Sequence, residues 1–311
     1  MKRRFVLVGF CITVPLLLGA WAKEAASWRP TVVARLNETG VYELEAFPQG
    51  VAFTASERHY GWVDLRSGNF RYDSNRTPRR LGKSNSFSWT LWLGSSAKLR
   101  RLEVVGNDGH KHIFYGSSLE EARRKEVTVR VLPQQNKVML LEPFRLLQWN
   151  WATGKLEHTT SVESPGEQTL SRDGRTVIEP ESTSDTSSGK TIKNHPTAVQ
   201  RAEYRYLSPY GLYSLYDHMD NRMKVVQTTT GKALWGFHLN DVYNPSQWLF
   251  SDDENTVTVQ SGSQWCVYRA SNGALLRRLP CVPNTRLSCL SPDGSTLYSV
   301  AGDVLYKQRT R

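Results

Sequence analysis

Two short patterns alternate along this chain, and together they restrict its fold more than any other feature. The first is an apolar residue, a tight polar turn and a second apolar run, clearest at Leu290–Tyr298 as Leu-Ser-Pro-Asp-Gly-Ser-Thr-Leu-Tyr. Leu170–Ile178 is close to it; Leu207–Gly211, Phe250–Asn255, Leu132–Lys137, Leu93–Lys98 and Phe47–Gly50 follow with increasing drift. Proline presets the first corner of such a turn and glycine supplies a positive φ later in it, so strand-turn-strand is expected at each. The second pattern is a strand running into a small polar residue and glycine. It occurs at Trp62–Gly68, Trp149–Lys155, Val225–Lys232 and Tyr268–Gly273, with poorer copies at Asp185–Lys190 and Val105–Gly109. Glycine there closes a hairpin between neighbouring strands.

The two series run in step. The first starts at Pro48, Ser95, Pro133, Ser171, Ser208, Ser251 and Ser291, and the second marks Gly68, Gly109, Gly154, Gly189, Gly231 and Gly273. Spacings of about 35 to 47 residues are those of a four-stranded propeller blade. The expected fold is therefore all-β, a seven-bladed β-propeller, with six or eight blades as alternatives. Composition agrees: apolar residues are 39% and charged residues 22% of the chain, enough apolar surface for a packed core. The chain's 10 Trp and 13 Tyr suit half-buried pleated sheets.

Ser291-Pro292-Asp293-Gly294 resembles the turn of WD40-like and Tol-type propeller repeats. Thr229-Thr230-Gly231-Lys232-Ala233-Leu234-Trp235 is similar to the Thr-Gly-Lys-x-x-Trp turn of quinoprotein-like (YVTN-type) propellers. The resemblance runs over Val41–Arg311 and implies a superfamily rather than one family. It also implies how the ring closes, because such propellers pair an N-terminal strand into the last blade, which removes exposed sheet edges. The last repeat has strands around Leu297–Val300 and Val304–Lys307 and then stops, while Thr31–Leu36 is a β-type run ahead of the first blade. Thr31–Leu36 is expected to be the outer strand of blade seven.

Two stretches depart from the repeat. Glu179–Gln200 is polar and forms either distorted third and fourth strands of its blade or a loop. Gly116–Lys125 is the best short helix candidate, with Ser118 and Glu121 placed for a capping box.

Lys2, Arg3 and Arg4, an apolar run over Phe5–Gly19 and Ala20-Trp21-Ala22 have the layout of a secretory signal peptide. An uncleaved membrane anchor is the alternative, although the run is short for a span and Pro15 interrupts it. The expected organisation is residues 1–22 as signal peptide or anchor, 23–40 as linker and closing strand, and 41–311 as one propeller. Either N-terminal reading makes the protein extracytoplasmic: secreted, periplasmic or N-terminally membrane-anchored. Removing three basic residues takes the formal net charge from +11 to +8 (37 basic minus 29 acidic). The basic residues are scattered, with no run of five, so an anionic envelope component is a possible partner and specific nucleic-acid binding is not expected. Cys266, Cys281 and Cys289 remain after cleavage. Cys266–Cys281 and Cys281–Cys289 are possible disulfides in an oxidising compartment, and three buried thiols are equally compatible.

No catalytic or metal-binding constellation stands out. His110 and His112 alternate on a candidate strand without acidic or cysteine companions, and Asp217, Asp220, Asp241, Asp252 and Asp253 lie near turns without EF-hand spacing. There is no nucleophile elbow, P-loop or zinc-protease helix. No cofactor is assigned. The expected function is a monomeric, non-enzymatic binding or scaffold propeller for a protein partner, using blade-end loops or the central channel. A quinoprotein-like oxidoreductase or another propeller enzyme is the alternative that the resemblance raises. Arg79, Arg80, Tyr243 and Trp248 flank inter-blade turns and are the candidate binding residues, since exposed aromatics and arginines most often anchor partners.

Overall fold

A computed structural model describes residues 29–36, 40–55, 59–73, 79–84, 87–93, 99–106, 109–115, 127–142, 144–162, 167–196, 205–218, 222–239 and 248–310. The N-terminal signal-peptide candidate, the Gly116–Lys125 helix candidate and Tyr243 lie outside them. Among the described residues no helix is long and apolar enough to cross a membrane.

Seven four-stranded antiparallel sheets make up the fold, a seven-bladed β-propeller. Six blades are consecutive in sequence and span residues 43–73, 79–115, 128–161, 169–194, 205–238 and 248–280. The seventh is a composite. From the hub outward it contains Thr285–Leu290, Thr296–Ala301, Val304–Arg309 and, outermost, Thr31–Arg35. Thr31 pairs with Lys307 and Arg35 with Val304, and Leu36 N–H donates to Asp303 O at 2.7 Å. Ala34 and Leu36 are buried in a cluster with Val300, Tyr298 and Leu305. The ring is thus closed by segments from opposite ends of the chain, as Thr31 Oγ1 reaching Lys307 O illustrates (a separation of 276 residues).

The turn chemistry explains why the repeat is legible. At Ser291–Thr296 the Ser291 hydroxyl donates to Asp293 Oδ1 at 2.6 Å and accepts from Thr296 N–H at 2.9 Å. Gly294, at φ +67°, donates its N–H to Ser291 O. Blades four and six repeat the Ser–Asp contact, through Ser171 and Asp173 at 2.7 Å and Ser251 and Asp253 at 2.5 Å. In the second kind of turn, Asp64 Oδ1 accepts from the N–H groups of Arg66 and Ser67, and Gly68 sits at φ +68°.

The glycines of that second turn serve a further purpose: the blades touch there. A Cβ on Gly68 would lie 3.3 Å from Val33 O, on Gly189 2.3 Å from Ser161 O, and on Gly231 2.6 Å from Pro196 O. Each neighbour is in or directly after the outermost strand of the preceding blade. Gly68 therefore meets the closing strand itself. Positive φ and close approach both call for glycine at these positions.

One landmark was misplaced in the repeat. Leu93–Lys98, of which residues 94–98 lie outside the described residues, falls between the second and third strands of blade two (Phe87–Leu93 and Leu99–Val105) and not between the first and second (Arg79–Ser84 and Phe87–Leu93). A short polar stretch between two apolar runs fits either hairpin. Glu179–Gln200 contains the third and fourth strands of blade four, Ser182–Asp185 and Thr191–Asn194, rather than a free loop.

The core is distributed between blades. One cluster joins Leu91, Leu102 and Phe114 to Val129, Val138 and Trp149, and another joins Leu215, Val225 and Phe237 to Trp248 and Val257. Trp149 Nε1–H donates to Tyr115 O at 3.0 Å across blades two and three; Trp235 Nε1–H donates to Ala270 O at 2.7 Å across blades five and six.

Candidate functional site: the central channel

The innermost strands converge on a cavity of about 690 Å³ lined by residues of all seven blades, a size within the roughly 300–1,000 Å³ range of ligand sites. Its wall combines apolar groups (Leu44, Phe53, Trp89, Val129, Leu249, Leu287) with charged ones (Glu43, Glu45, Arg130, Glu167, Asp252).

Arg130 is the most constrained of these. It stands in Thr128–Leu132, the inner strand of blade three, and is 5% exposed. Its guanidinium donates to Val129 O in its own blade, to Leu170 O and Thr169 Oγ1 in blade four, and to Pro209 O in blade five. One side chain thereby fastens three consecutive blades. The partners are neutral, and burial pulls the guanidinium down to about 10; it remains a cation at neutral pH. Tyr210 lies under it, with the guanidinium carbon 4.3 Å from the ring centroid, and Arg172 adds a second guanidinium at 4.5 Å. Burial pushes the Tyr210 phenol up.

Tyr210 and Glu254 form a reciprocal exchange between adjacent blades. Superposing the turns on Ser-Pro-Asp-Gly, Tyr210 occupies the aspartate position of blade five and Glu254 the glycine position of blade six. Glu254 adopts the left-handed conformation glycine would have, φ +58°, and is 4% exposed. Its Oε1 accepts from Ser208 Oγ, from Tyr210 N–H at 2.9 Å and from Leu212 N–H at 3.2 Å. Blade six thus supplies the carboxylate that the turn of blade five lacks, leaving the Tyr210 ring to stack on the arginines.

At blade two the wall has another construction. Gly82 on the inner strand faces Trp89 on the second strand, and a Cβ on Gly82 would lie 2.2 Å from the indole Cζ2 and 2.6 Å from Cε2. The six-membered ring of the indole therefore lies over Gly82 and fills the missing side chain's place on the inner strand.

The candidate binding residues have different placements. Arg79 and Arg80 belong to the inner strand Arg79–Ser84, backbone-paired with Trp92 and Leu91, rather than to the preceding loop. Trp248 opens the inner strand of blade six, but it is 7% exposed and packs on Tyr206 at 4.8 Å, so its surface belongs to the inter-blade core. His112 lies against Trp151, ring centroids 3.8 Å apart, and His110 precedes the strand Lys111–Tyr115. Asp253 caps its own turn through Ser251 Oγ and Asn255 N–H. Among the described residues no group of three His, Cys, Asp or Glu could hold a metal ion. Cys266, Cys281 and Cys289 are free thiols; Cys266 stands opposite Arg278, and Cys281 bonds through its N–H to Ser263 O.

Arg130, Tyr210 and Glu254 were not singled out from sequence, although each carried a signal. Arg130 interrupts an apolar inner strand, and the other two break the turn consensus in neighbouring repeats.

No protein-family model and no curated protein matches the chain. Among solved structures it is similar to a chain described as "Crystal Structure of Mitotic Checkpoint Complex", with a TM-score of 0.55 and 13% identity over 91% of each chain. Blade count, closure and this likeness define the fold as a closed seven-bladed β-propeller. Matches extend to 1441 chains, so the shape is widely shared and specifies no activity by itself.

Proposed function

We propose that the protein is an exported, non-enzymatic binding or scaffold propeller that holds a partner protein at its hub and on its blade-end loops. The observation that carries this reading is the central cavity: a closed ring lined from all seven blades, with a rim fastened across three blades by Arg130. Such a wall is preorganised, which limits the ordering cost on binding. Arg79 and Arg80, at the start of the inner strand of blade two, and Tyr243 are proposed rim contacts. Export is inferred from the N-terminal layout alone.

The test is co-purification from a cell-envelope extract with the unaltered chain and with Thr128→Trp, which places a bulky side chain on the cavity wall. A partner recovered with the first and lost with the second, at matched melting temperatures, supports hub binding. Equal recovery with both refutes it. Repeating the capture at high salt separates a shaped site from general attraction to a basic protein. N-terminal sequencing of exported protein should begin at Lys23; recovery from the cytosol with Met1 intact would remove the extracytoplasmic part.

A further inference from the structure

Blade four has the shortest strands of the ring, with two, three, four and four residues at Thr169–Leu170, Thr176–Ile178, Ser182–Asp185 and Thr191–Asn194. All four residues of its outermost strand are exposed, and three pairs with a shift of register hold that strand: Asn194 to Ser182, Lys193 to Thr183 and Thr191 to Ser184. An edge with so little apolar burial opens easily unless something else ties it down.

His195, the residue after the strand, is that tie. It is 6% exposed. Its backbone N–H donates to Glu181 O at 2.7 Å, in the hairpin between the second and third strands. Its ring Nε2 lies 2.7 Å from the buried Thr183 hydroxyl on the third strand. Pro196 follows, and its carbonyl abuts the turn of blade five, where a Cβ on Gly231 would lie 2.6 Å from it. The histidine thus joins the outer strand to its own blade one residue before the contact with the next.

The other ring nitrogen, Nδ1, is buried and has no hydrogen-bond partner. A histidine cation carries a proton on both nitrogens, so protonation here would bury a charged donor without an acceptor. Burial accordingly pulls His195 below its ordinary 6.5; the backbone of Pro180 draws it partly back, Lys193 adds to the fall, and the backbone of Glu179 opposes it. The described titratable groups around the ring are Glu179 and Glu181 of the hairpin, Lys193 of the strand and Tyr216 of blade five. The Glu179 carboxylate accepts from Ser182 Oγ at 2.7 Å, and the Tyr216 hydroxyl donates to Pro180 O at 3.5 Å. Ordinary carboxylates, ammonium groups and phenols titrate outside the range from about pH 5 to 7.5, which leaves the imidazole.

We propose that His195 is an acid-sensitive latch on blade four. Neutral, the ring stays against the Glu179–Glu181 hairpin and keeps the outer strand in place. Protonated, it leaves for water, Thr191–Asn194 detaches, and the edge of Ser182–Asp185 is bared for pairing with another strand. The stability it contributes is present above 6.5 and is lost as pH falls through 6.5 toward the lower folded value. The latch is independent of what the hub binds.

Hydrogen exchange of the full chain at about pH 7.5 and pH 5, corrected for the intrinsic pH dependence of amide exchange, reads the opening of residues 191–195. A ring that is neutral when folded and titrates at 6.5 when opened raises the opening equilibrium by at most about thirtyfold between the two. A rise between about threefold and that ceiling is expected at residues 191–195, with residues 256–269 of blade six unchanged. His195→Gln can still bond Thr183, carries no charge at either pH, and is expected to abolish the rise; His195→Asn takes its place if the glutamine lowers the Tm at neutral pH. E179Q/E181Q keeps an acceptor for Ser182 and is expected to leave the rise intact. No rise at residues 191–195 in the parent chain, an equal rise in blade six, a rise that persists in the histidine variants, or its loss in E179Q/E181Q overturns the inference.

Discussion

Glu254→Gly would restore the repeat consensus and yet is expected to destabilise the protein. Two effects oppose each other. Glutamate at φ +58° carries a left-handed backbone cost of roughly 1–2 kcal/mol that glycine lacks. Against that, removing the carboxylate strips an acceptor from Tyr210 N–H, Leu212 N–H and the Ser208 hydroxyl, in a turn where Ser208 is 1% and Tyr210 9% exposed. A buried donor left unmet costs about 1–3 kcal/mol. With the Tyr210 amide near the middle of that range, and the Leu212 amide (Leu212 is 45% exposed) and a rotatable hydroxyl both at its low end, the loss outweighs the gain by roughly 2 kcal/mol. In a domain of this size that corresponds to a fall in Tm of roughly 3–4 °C. Adding Tyr210→Asp should place a carboxylate beside Ser208, as Asp293 stands beside Ser291, and recover most of the loss. The recovery stays partial because the ring against Arg130 and Arg172 is lost, a contact of about 0.5–2 kcal/mol. The four-member cycle, measured by urea and thermal unfolding, should give a favourable coupling of about 2 kcal/mol, well above the additivity expected of independent sites. A Tm for Glu254→Gly equal to or above the parent would show that backbone strain dominates. Absence of rescue in the double variant would show that the two departures are unrelated.

Deleting Lys23–Leu36 while keeping residues 1–22 removes the outer strand of blade seven and bares the edge of Val304–Arg309. Reduced secretion, a lower Tm and concentration-dependent aggregation are expected; unchanged behaviour on all three would contradict strand closure. In denaturant, thiol titration of the exported protein should count three thiols, and four would mean that Cys11 is retained. In the native state burial pushes the Cys281 thiol up to about 11, so alkylation at pH 8 should be slow, and reductant should leave the Tm unchanged. Acid stability follows the turn aspartates. Hydrogen bonds from Ser67 hold Asp64 below its ordinary 3.8, those from Ser171 hold Asp173 there, and those from Ser187 and Ser188 hold Asp185 there. A depressed folded-state pKa gives stability that is present above about 3.8 and lost as pH falls through the folded values. These aspartates should lower the Tm only below about pH 4; D64N/D173N/D185N should flatten that fall, and an unchanged acid limb would discount these turns.

The sequence by itself determined the architecture. Ser-x-Asp-Gly turns and small-polar-Gly hairpins are local chemistry: an aspartate or serine caps the amides two or three residues on, and glycine takes the positive φ, whatever the rest of the chain does. The blade period followed from them, and the closing strand from the incomplete last repeat and the resemblance to propellers that close with an N-terminal strand. Where that chemistry thins out, so did the reading. Leu93–Lys98 resembles the first turn of a blade but falls between strands two and three, because composition alone does not say which hairpin a polar stretch closes. The hub could be decided only by the tertiary structure. Glu43, Arg130, Glu167, Tyr210 and Asp252 lie roughly one or two repeats of about 40 residues apart, and no local pattern links them. They meet because seven inner strands converge when Thr31–Arg35 pairs with Val304–Arg309. The same closure turned Trp248 from a candidate contact into core, and set the Arg130 guanidinium across three blades at the centre of the ring.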